Sequence, residues 1–177
     1  MKEQIIAGFN ETTPDLLSTL SLFTQEEFNK IPFEGSWTPG QVAEHLYKSE
    51  SNIVRALKGP STNTERNPFE HTEIIQKIFL DYTKKLQSPA FISPSNDPKD
   101  KSQFIEYFEG TRRELKTLIG TLDLDKTFTS FSFPTLGHLT GWECICFVVC
   151  HSMRHIRQMK NIANKLKASP TEVDDAA

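Results

Sequence analysis

The sequence has few cysteines, no long apolar run and no excess of charge of one sign. Its longest apolar stretch is far shorter than the ~20 residues that a membrane-spanning helix needs. The N-terminal residues also lack the continuous apolar segment of a signal peptide. The three cysteines, Cys144, Cys146 and Cys150, are odd in number and close together, which disfavours a disulfide framework. We therefore expect free thiols and a cytoplasmic protein.

Charge is balanced along the chain. Twenty Lys and Arg face 23 Asp and Glu, which gives a net charge of −3, and neither sign is clustered. Without a basic patch or a polybasic segment we expect neither a nucleic-acid partner nor a membrane partner. A chain of 177 residues is the size of one domain. We assign that domain to residues 1–168 and expect the polar tail, 169–177, to be disordered.

Apolar residues recur at helical spacing in five segments, which Pro, Gly and polar loops separate. The segments cover about residues 2–23, 39–58, 68–86, 101–122 and 140–166. Pro14 interrupts the first segment and predicts either a kink or a second helix start. The last segment begins apolar on all sides, which is typical of a central helix. No strand-rich block is present, so the sequence predicts an all-α fold, a four-helix bundle with an extra short or broken helical segment.

Two helix starts carry capping-box signatures. Thr38 and Gln41 fit the T-x-x-Q pattern, with Pro39 at the first helical position, and Thr140 and Glu143 fit T-x-x-E. Two connections differ from simple turns. Residues 88–100 are proline-rich and long enough to be either functional or mobile, and residues 127–137 form an aromatic loop.

Histidines provide the main candidate for chemistry. His151 and His155 are four residues apart, so their side chains lie about 40° apart around one helix and can share an ion. His45 lies within the apolar stripe of the second helix. Three inward imidazoles from facing helices would hold a metal ion and leave one coordination position open. The alternative is that each is a core histidine satisfied by hydrogen bonds, and no HExxH glutamate lies between the pair. We place His71 on the surface and leave His138 as either a pocket or a turn residue.

The segment SWTPGQVAEHL, which ends in His45 and Leu46, is followed about a hundred residues later by HSMRH. Together these motifs resemble the DinB-like, YfiT-like superfamily over nearly the whole chain. The resemblance implies a bundle that is often dimeric, and we expect a homodimer. It also implies a divalent ion, nickel, zinc or manganese, held by His45, His151 and His155. Related members include thiol S-transferases and a thiol-dependent isomerase, and others were described as metal-dependent hydrolases.

These motifs favour a metal-dependent enzyme that acts on a small molecule. The leading expectation is a transferase that couples a low-molecular-weight thiol to an electrophile. A hydrolase that activates water would use the same open position. The third alternative is a non-catalytic bundle with a structural or incidental ion. A pocket lined by Trp37, Phe131, Phe133 or His138 would favour catalysis.

Overall fold

The computed structural model describes residues 1–168, and the expectation of a disordered tail at 169–177 falls outside this range. The all-α prediction is confirmed, since helices dominate the described residues. The elements in chain order are α1 (Lys2–Leu20), α2 (Gln25–Phe28), α3 (Pro39–Leu57), β1 (Ser61–Thr62), α4 (Thr72–Phe79), a 3₁₀ turn (Ala90–Ile92), α5 (Lys101–Thr121), β2 (Thr127–Phe128) and α6 (Gly141–Ala168).

The four long helices α1, α3, α5 and α6 form the bundle, and α6 packs against α1, α3 and the short α4. Residues 141–152 of α6 are all buried, as expected for a helix that is apolar on every side. Two hydrophobic clusters meet along this helix. One includes Phe147 to Cys150, and the other includes Ile156 and Met159. The positions of His151 and His155 therefore lie between two halves of the core.

Both predicted capping boxes form. Thr38 Oγ1 accepts from the Gln41 N–H at 3.1 Å, and Gln41 Oε1 accepts from the Thr38 N–H at 3.0 Å. The same reciprocal pair joins Thr140 and Glu143 at the start of α6, at 2.9 and 3.2 Å. These bonds satisfy N–H groups that have no partner within the helix and fix where α3 and α6 begin.

The predicted end of the first helix is wrong. α1 stops at Leu20, and the separate helix α2 follows after a turn. Thr24 and Glu27 make a capping box that starts α2. Pro14 lies inside α1 and does not start a new helix.

The third predicted helix is also wrong, because α4 covers only eight of the residues assigned to 68–86. Tyr82 and Leu86 continue the apolar spacing, yet they are 39% and 38% exposed and so gain little from a helical register. Arg154 of α6 instead donates to the carbonyls of Phe79, at 3.1 Å, and Asp81, at 3.0 Å, and to that of Lys84. The Arg154 guanidinium thus satisfies carbonyls at and beyond the end of α4, where the chain turns across α6.

Two of the remaining connections pair with each other through short strands. β1 and β2 form an antiparallel pair in which Ser61 faces Phe128 and Thr62 faces Thr127. The aromatic loop, 127–137, thus contributes one two-residue strand, and Phe133 is bridged to Gly137. No helix in the described part of the chain is long and apolar enough to cross a membrane.

Candidate metal centre

Three histidines from two helices meet in the core. His45 Nε2 of α3 lies 3.1 Å from His151 Nε2 of α6, and His155 Nε2 lies 2.9 Å from the same atom. The three side chains are buried, with 4%, 4% and 7% of their surface exposed. No other group of three or more His, Cys, Asp or Glu residues suited to a metal ion occurs within residues 1–168.

The outer nitrogens of two of these rings are held by oxygen atoms. His45 Nδ1 lies 3.1 Å from the Ile92 carbonyl oxygen and 3.1 Å from Ser88 Oγ. His155 Nδ1 lies 2.8 Å from Gln158 Oε1. A carbonyl or amide oxygen can only accept a hydrogen bond, so Nδ1 carries the proton in both rings. Consequently the Nε2 atoms of His45 and His155 present lone pairs to the centre of the cluster.

This tautomer assignment leaves the cluster short of protons. His151 Nε2 can donate at most one hydrogen, yet two lone pairs approach it at 3.1 and 2.9 Å. At least one pair of nitrogens therefore faces lone pair to lone pair when the rings are neutral. A cation bound by all three Nε2 atoms removes this conflict, so the residues fit a divalent metal ion.

Protonation does not offer another solution near neutral pH. Burial lowers the pKa of His45 and lowers that of His151 well below its ordinary value. Burial, together with the charge of a neighbouring imidazolium, lowers the pKa of His155 to about 3. All three rings are therefore neutral at pH 7, which is the form that coordinates metal.

His151 is oriented by aromatic rings. Phe147 stacks on it at 5.0 Å between ring centroids, and Phe79 contacts it edge-on at 5.4 Å. Within residues 1–168, His151 Nδ1 is the one buried side-chain polar atom without a hydrogen-bond partner. Such an atom costs about 1–3 kcal/mol. The ring is thus held at some cost with its Nε2 directed at the other two histidines.

A cavity of about 1080 Å³ opens beside the cluster. Trp37, Phe131 and Phe133, three of the predicted pocket residues, line it. His138 does not, because it is exposed and its Nδ1 lies 3.0 Å from the Phe131 carbonyl oxygen in a turn. His71 is half-buried and also lies outside the cluster.

The cysteines do not take part in the centre. All three are free and buried. Burial and the charge of Glu143 raise the pKa of Cys144 to about 12, so its thiol is neutral at physiological pH. Cys144, Cys146 and Cys150 serve as small apolar core residues.

A buried ion pair lies behind the histidines. Arg112 of α5 and Glu50 of α3 are 2% and 1% exposed, and Arg112 Nε donates to Glu50 Oε2 at 2.9 Å. Arg112 also donates to Ser152 Oγ at 2.6 Å. Glu50 lies five residues after His45, and Ser152 directly follows His151. The network therefore fixes α3 against the ligand-bearing turn of α6.

The sequence patterns did not predict the residues that orient the ligands. Gln158 follows His155 by three positions on α6, a spacing that places both on one helix face and could have indicated the contact. Ser88 and Ile92 belong to the proline-rich loop, and no sequence spacing relates them to His45.

A family model described as the DinB superfamily matches residues 9–159, a range that includes all three histidines. The uncharacterized protein YuaE of Bacillus subtilis (strain 168) is 26% identical over 164 residues. The alignment covers 90% of this chain and 97% of that protein. No solved structure matches the chain significantly.

Proposed function

This chain belongs to the DinB superfamily, and on that premise we propose that it is a metal-dependent transferase. It would couple a small thiol to an electrophile. The observation that carries the proposal is the set of three buried Nε2 atoms, within 4.8 Å of one another and open to a cavity. Three ligands leave a position for a substrate atom, as in catalytic metal sites.

A divalent cation in this set, nickel, zinc or manganese, supplies Lewis acidity that lowers the pKa of a thiol beside it. His45, His151 and His155 would hold the ion, and Ser88, Ile92 and Gln158 keep the His45 and His155 rings in position. The thiol gives its proton to solvent. Its sulfur then forms a bond to the electrophilic carbon, and the leaving group departs with the electrons of the bond that breaks.

The aromatic side of the cavity has its own role. Phe133 packs on Phe147 at 4.7 Å between ring centroids, and Phe131 packs on Phe133 at 5.8 Å. These rings offer an apolar surface beside His151 that accommodates an apolar electrophile.

The cavity lining does not fit a hydrolase of the HExxH type. No Asp or Glu is among the described residues that line it. Metalloproteases of that type activate water with a carboxylate base, and the described lining supplies no carboxylate. The open cavity supports catalysis over a purely structural ion, because structural zinc sites are closed by four protein ligands.

Metal content tests the first half of the proposal. We expect about one ion per purified wild-type chain, as a single three-histidine site holds, and a large loss in His155→Ala. His138→Ala removes an imidazole outside the cluster and should retain the ion. Equal metal content in wild type and His155→Ala would refute the assignment.

Activity tests the second half. The metal-loaded protein is incubated with 2-mercaptoethanol and 1-chloro-2,4-dinitrobenzene, whose conjugation is followed by absorbance. Nitrophenyl ester and anilide substrates are assayed in parallel. Thiol conjugation that His155→Ala abolishes and His138→Ala retains supports the transferase. Metal-dependent ester or anilide hydrolysis without conjugation contradicts it.

A further inference from the structure

Exposed apolar side chains gather at the edge of the cavity beside the histidines. Of the ten large apolar residues that are exposed within residues 1–168, four line the cavity: Phe33, Tyr82, Leu86 and Phe91. We call these four residues the mouth. Phe91 is the most exposed of them, at 56%. Single apolar residues on a surface need no explanation, but several around one concavity are typical of a binding site.

Aromatic rings connect the mouth with the metal centre. Phe91 contacts Phe131 at 6.0 Å between ring centroids, and Phe131 contacts Phe133 at 5.8 Å. Phe133 contacts Phe147 at 4.7 Å, and Phe147 stacks on His151 at 5.0 Å. The first three contacts are edge-on, with angles of 66°, 90° and 70° between the ring planes. A continuous series of rings therefore leads from the surface to a candidate metal ligand.

The outer three rings of this series are incompletely covered by the protein. Phe91 is exposed, and Phe131 and Phe133 are half-buried, although each has an aromatic neighbour. A ring that serves only the core is enclosed, as Phe108 of α5 is, with 0% of its surface exposed. All three outer rings line the cavity. A ligand in the cavity would therefore remove from water apolar surface that the fold leaves uncovered.

The size of the cavity also indicates a large ligand. Its volume is about 1080 Å³, at the upper end of the roughly 300–1000 Å³ that small-molecule sites occupy. A small thiol beside the three histidines fills little of that space. The remainder accommodates a ligand of two rings or more, in contact with the aromatic side.

The kind of side chain that lines this side distinguishes between ligands of equal size. An aromatic ligand can place its edge against the face of one ring and its face against the edge of another, which adds to the gain from burial. A saturated ligand gains from burial alone. The rings of Phe91, Phe131 and Phe133 already meet edge-on, so a further ring would continue the same arrangement.

We infer that the electrophile is an aromatic molecule of two or more rings, bound against Phe91, Phe131 and Phe133. Phe131, in the middle of the three, is the specificity-determining residue. With an aryl halide, the sulfur forms a bond to a ring carbon, and the halide leaves with the electron pair of the carbon–halogen bond. The proton of the thiol passes to solvent. The inference rests on the proposed function for this reaction, whereas the preference for an aromatic ligand depends only on the cavity.

Binding of two neutral probes to the full-length protein, with and without added metal, tests the inference by isothermal titration calorimetry. The probes are naphthalene-2-methanol and its saturated counterpart, decahydronaphthalene-2-methanol, which share one carbon skeleton. We compare wild type with Phe131→Leu and Phe91→Leu, which remove a ring and keep an apolar side chain. Tyr107→Leu is the matched control, because Tyr107 is an exposed aromatic residue of α5 outside the cavity.

Phe131→Leu should weaken naphthalene-2-methanol about two- to tenfold, the range expected for loss of aromatic contacts. Binding of the saturated probe should change less than twofold, and Tyr107→Leu should leave both probes unchanged. Phe91→Leu should give a smaller effect of the same kind, and its exposed position makes a folding defect of little concern. Equal weakening of both probes by Phe131→Leu and by Phe91→Leu, or effects no larger than those of Tyr107→Leu, would overturn the inference.

Light scattering tests another occupant of the mouth, a second copy of this chain. Phe91→Ser places a polar group at the most exposed ring, and the molecular mass should equal that of wild type. A wild-type dimer that Phe91→Ser dissociates would assign the exposed rings to a subunit contact and overturn the inference.

The alcohol probes separate this inference from the proposed function, because neither has an electrophilic carbon. If no thiol conjugate forms but Phe131→Leu still weakens the naphthalene probe selectively, the aromatic site stands and the transferase fails. If conjugation proceeds but Phe131→Leu has no selective effect, the transferase stands and the aromatic site fails.

Discussion

His45 Nε2 and His151 Nε2 are 3.1 Å apart, although 106 positions separate the two residues in the chain. The first belongs to α3 and the second to α6, and both are buried. Hydrogen bonds donated by His45 Nδ1 and His155 Nδ1 leave the Nε2 lone pairs of both rings directed at this contact. The fold thus brings together nitrogens that cannot all satisfy one another, which is the physical basis of the metal assignment.

The hydrogen bond between His155 and Gln158 predicts how metal affinity changes when a residue that orients a ligand is replaced. Gln158→Leu removes the oxygen that accepts from His155 Nδ1, and we expect metal affinity to fall about 10–100-fold. Gln158→Glu keeps an acceptor at that position and should restore most of the affinity. Competition against a chromogenic chelator measures both values. Equal affinity in the Leu and Glu variants would contradict this role.

The buried ion pair predicts a large loss of stability. Arg112→Met leaves Glu50 without its charged partner in the core, which should lower the free energy of unfolding by about 3–5 kcal/mol. Lys58→Met breaks the exposed pair between Lys58 and Glu114 and should cost about 1 kcal/mol or less. Urea unfolding followed by circular dichroism gives both values. If Arg112→Met lowers the free energy of unfolding no more than Lys58→Met does, burial of the pair between Arg112 and Glu50 has no large effect on stability.

Glu143 predicts a pH dependence of stability. Burial raises the pKa of Glu143, but hydrogen bonds from Arg66, the Thr140 N–H and the His71 N–H outweigh it and hold the pKa below its ordinary value of 4.5. A lowered pKa in the folded state stabilises the fold above pH 4.5, and this contribution is lost as the pH falls through the folded-state pKa.

Comparison with Glu143→Gln isolates this contribution. At pH 7 the variant should be less stable than wild type by roughly 1–3 kcal/mol, because a charge-assisted set of hydrogen bonds is weakened. The difference should shrink as the pH falls below 4.5. Urea unfolding at a series of pH values provides the measurement. A difference that stays constant between pH 7 and pH 3 would mean that the charge of Glu143 has no part in it.

The sequence predicted the elements whose periodicity and end signals agree. Thr38 and Gln41 marked the start of α3, the apolar run before His151 marked α6 as central, and the inward position of His45 followed from its stripe. The three histidines could be grouped because helical geometry alone places them on inward faces.

Tertiary contacts determine the features that the sequence left open or predicted wrongly. The spacing of Tyr82 and Leu86 is helical, but Arg154 captures carbonyls after α4 and turns the chain away. The orientation of His45 by Ile92 depends on a loop 47 positions away. Glu50 and Arg112 appear in the sequence as ordinary charged residues on α3 and α5, and only their burial against each other shows their role.

The division of the ligands between α3 and α6 has a consequence for biosynthesis. Translation produces His45 early, but His151 and His155 emerge only with α6. Before α6 emerges, the partial chain contains one of the three clustered histidines, so the three-histidine site cannot form. An ion held by all three histidines would therefore bind only after α6 has docked into the bundle.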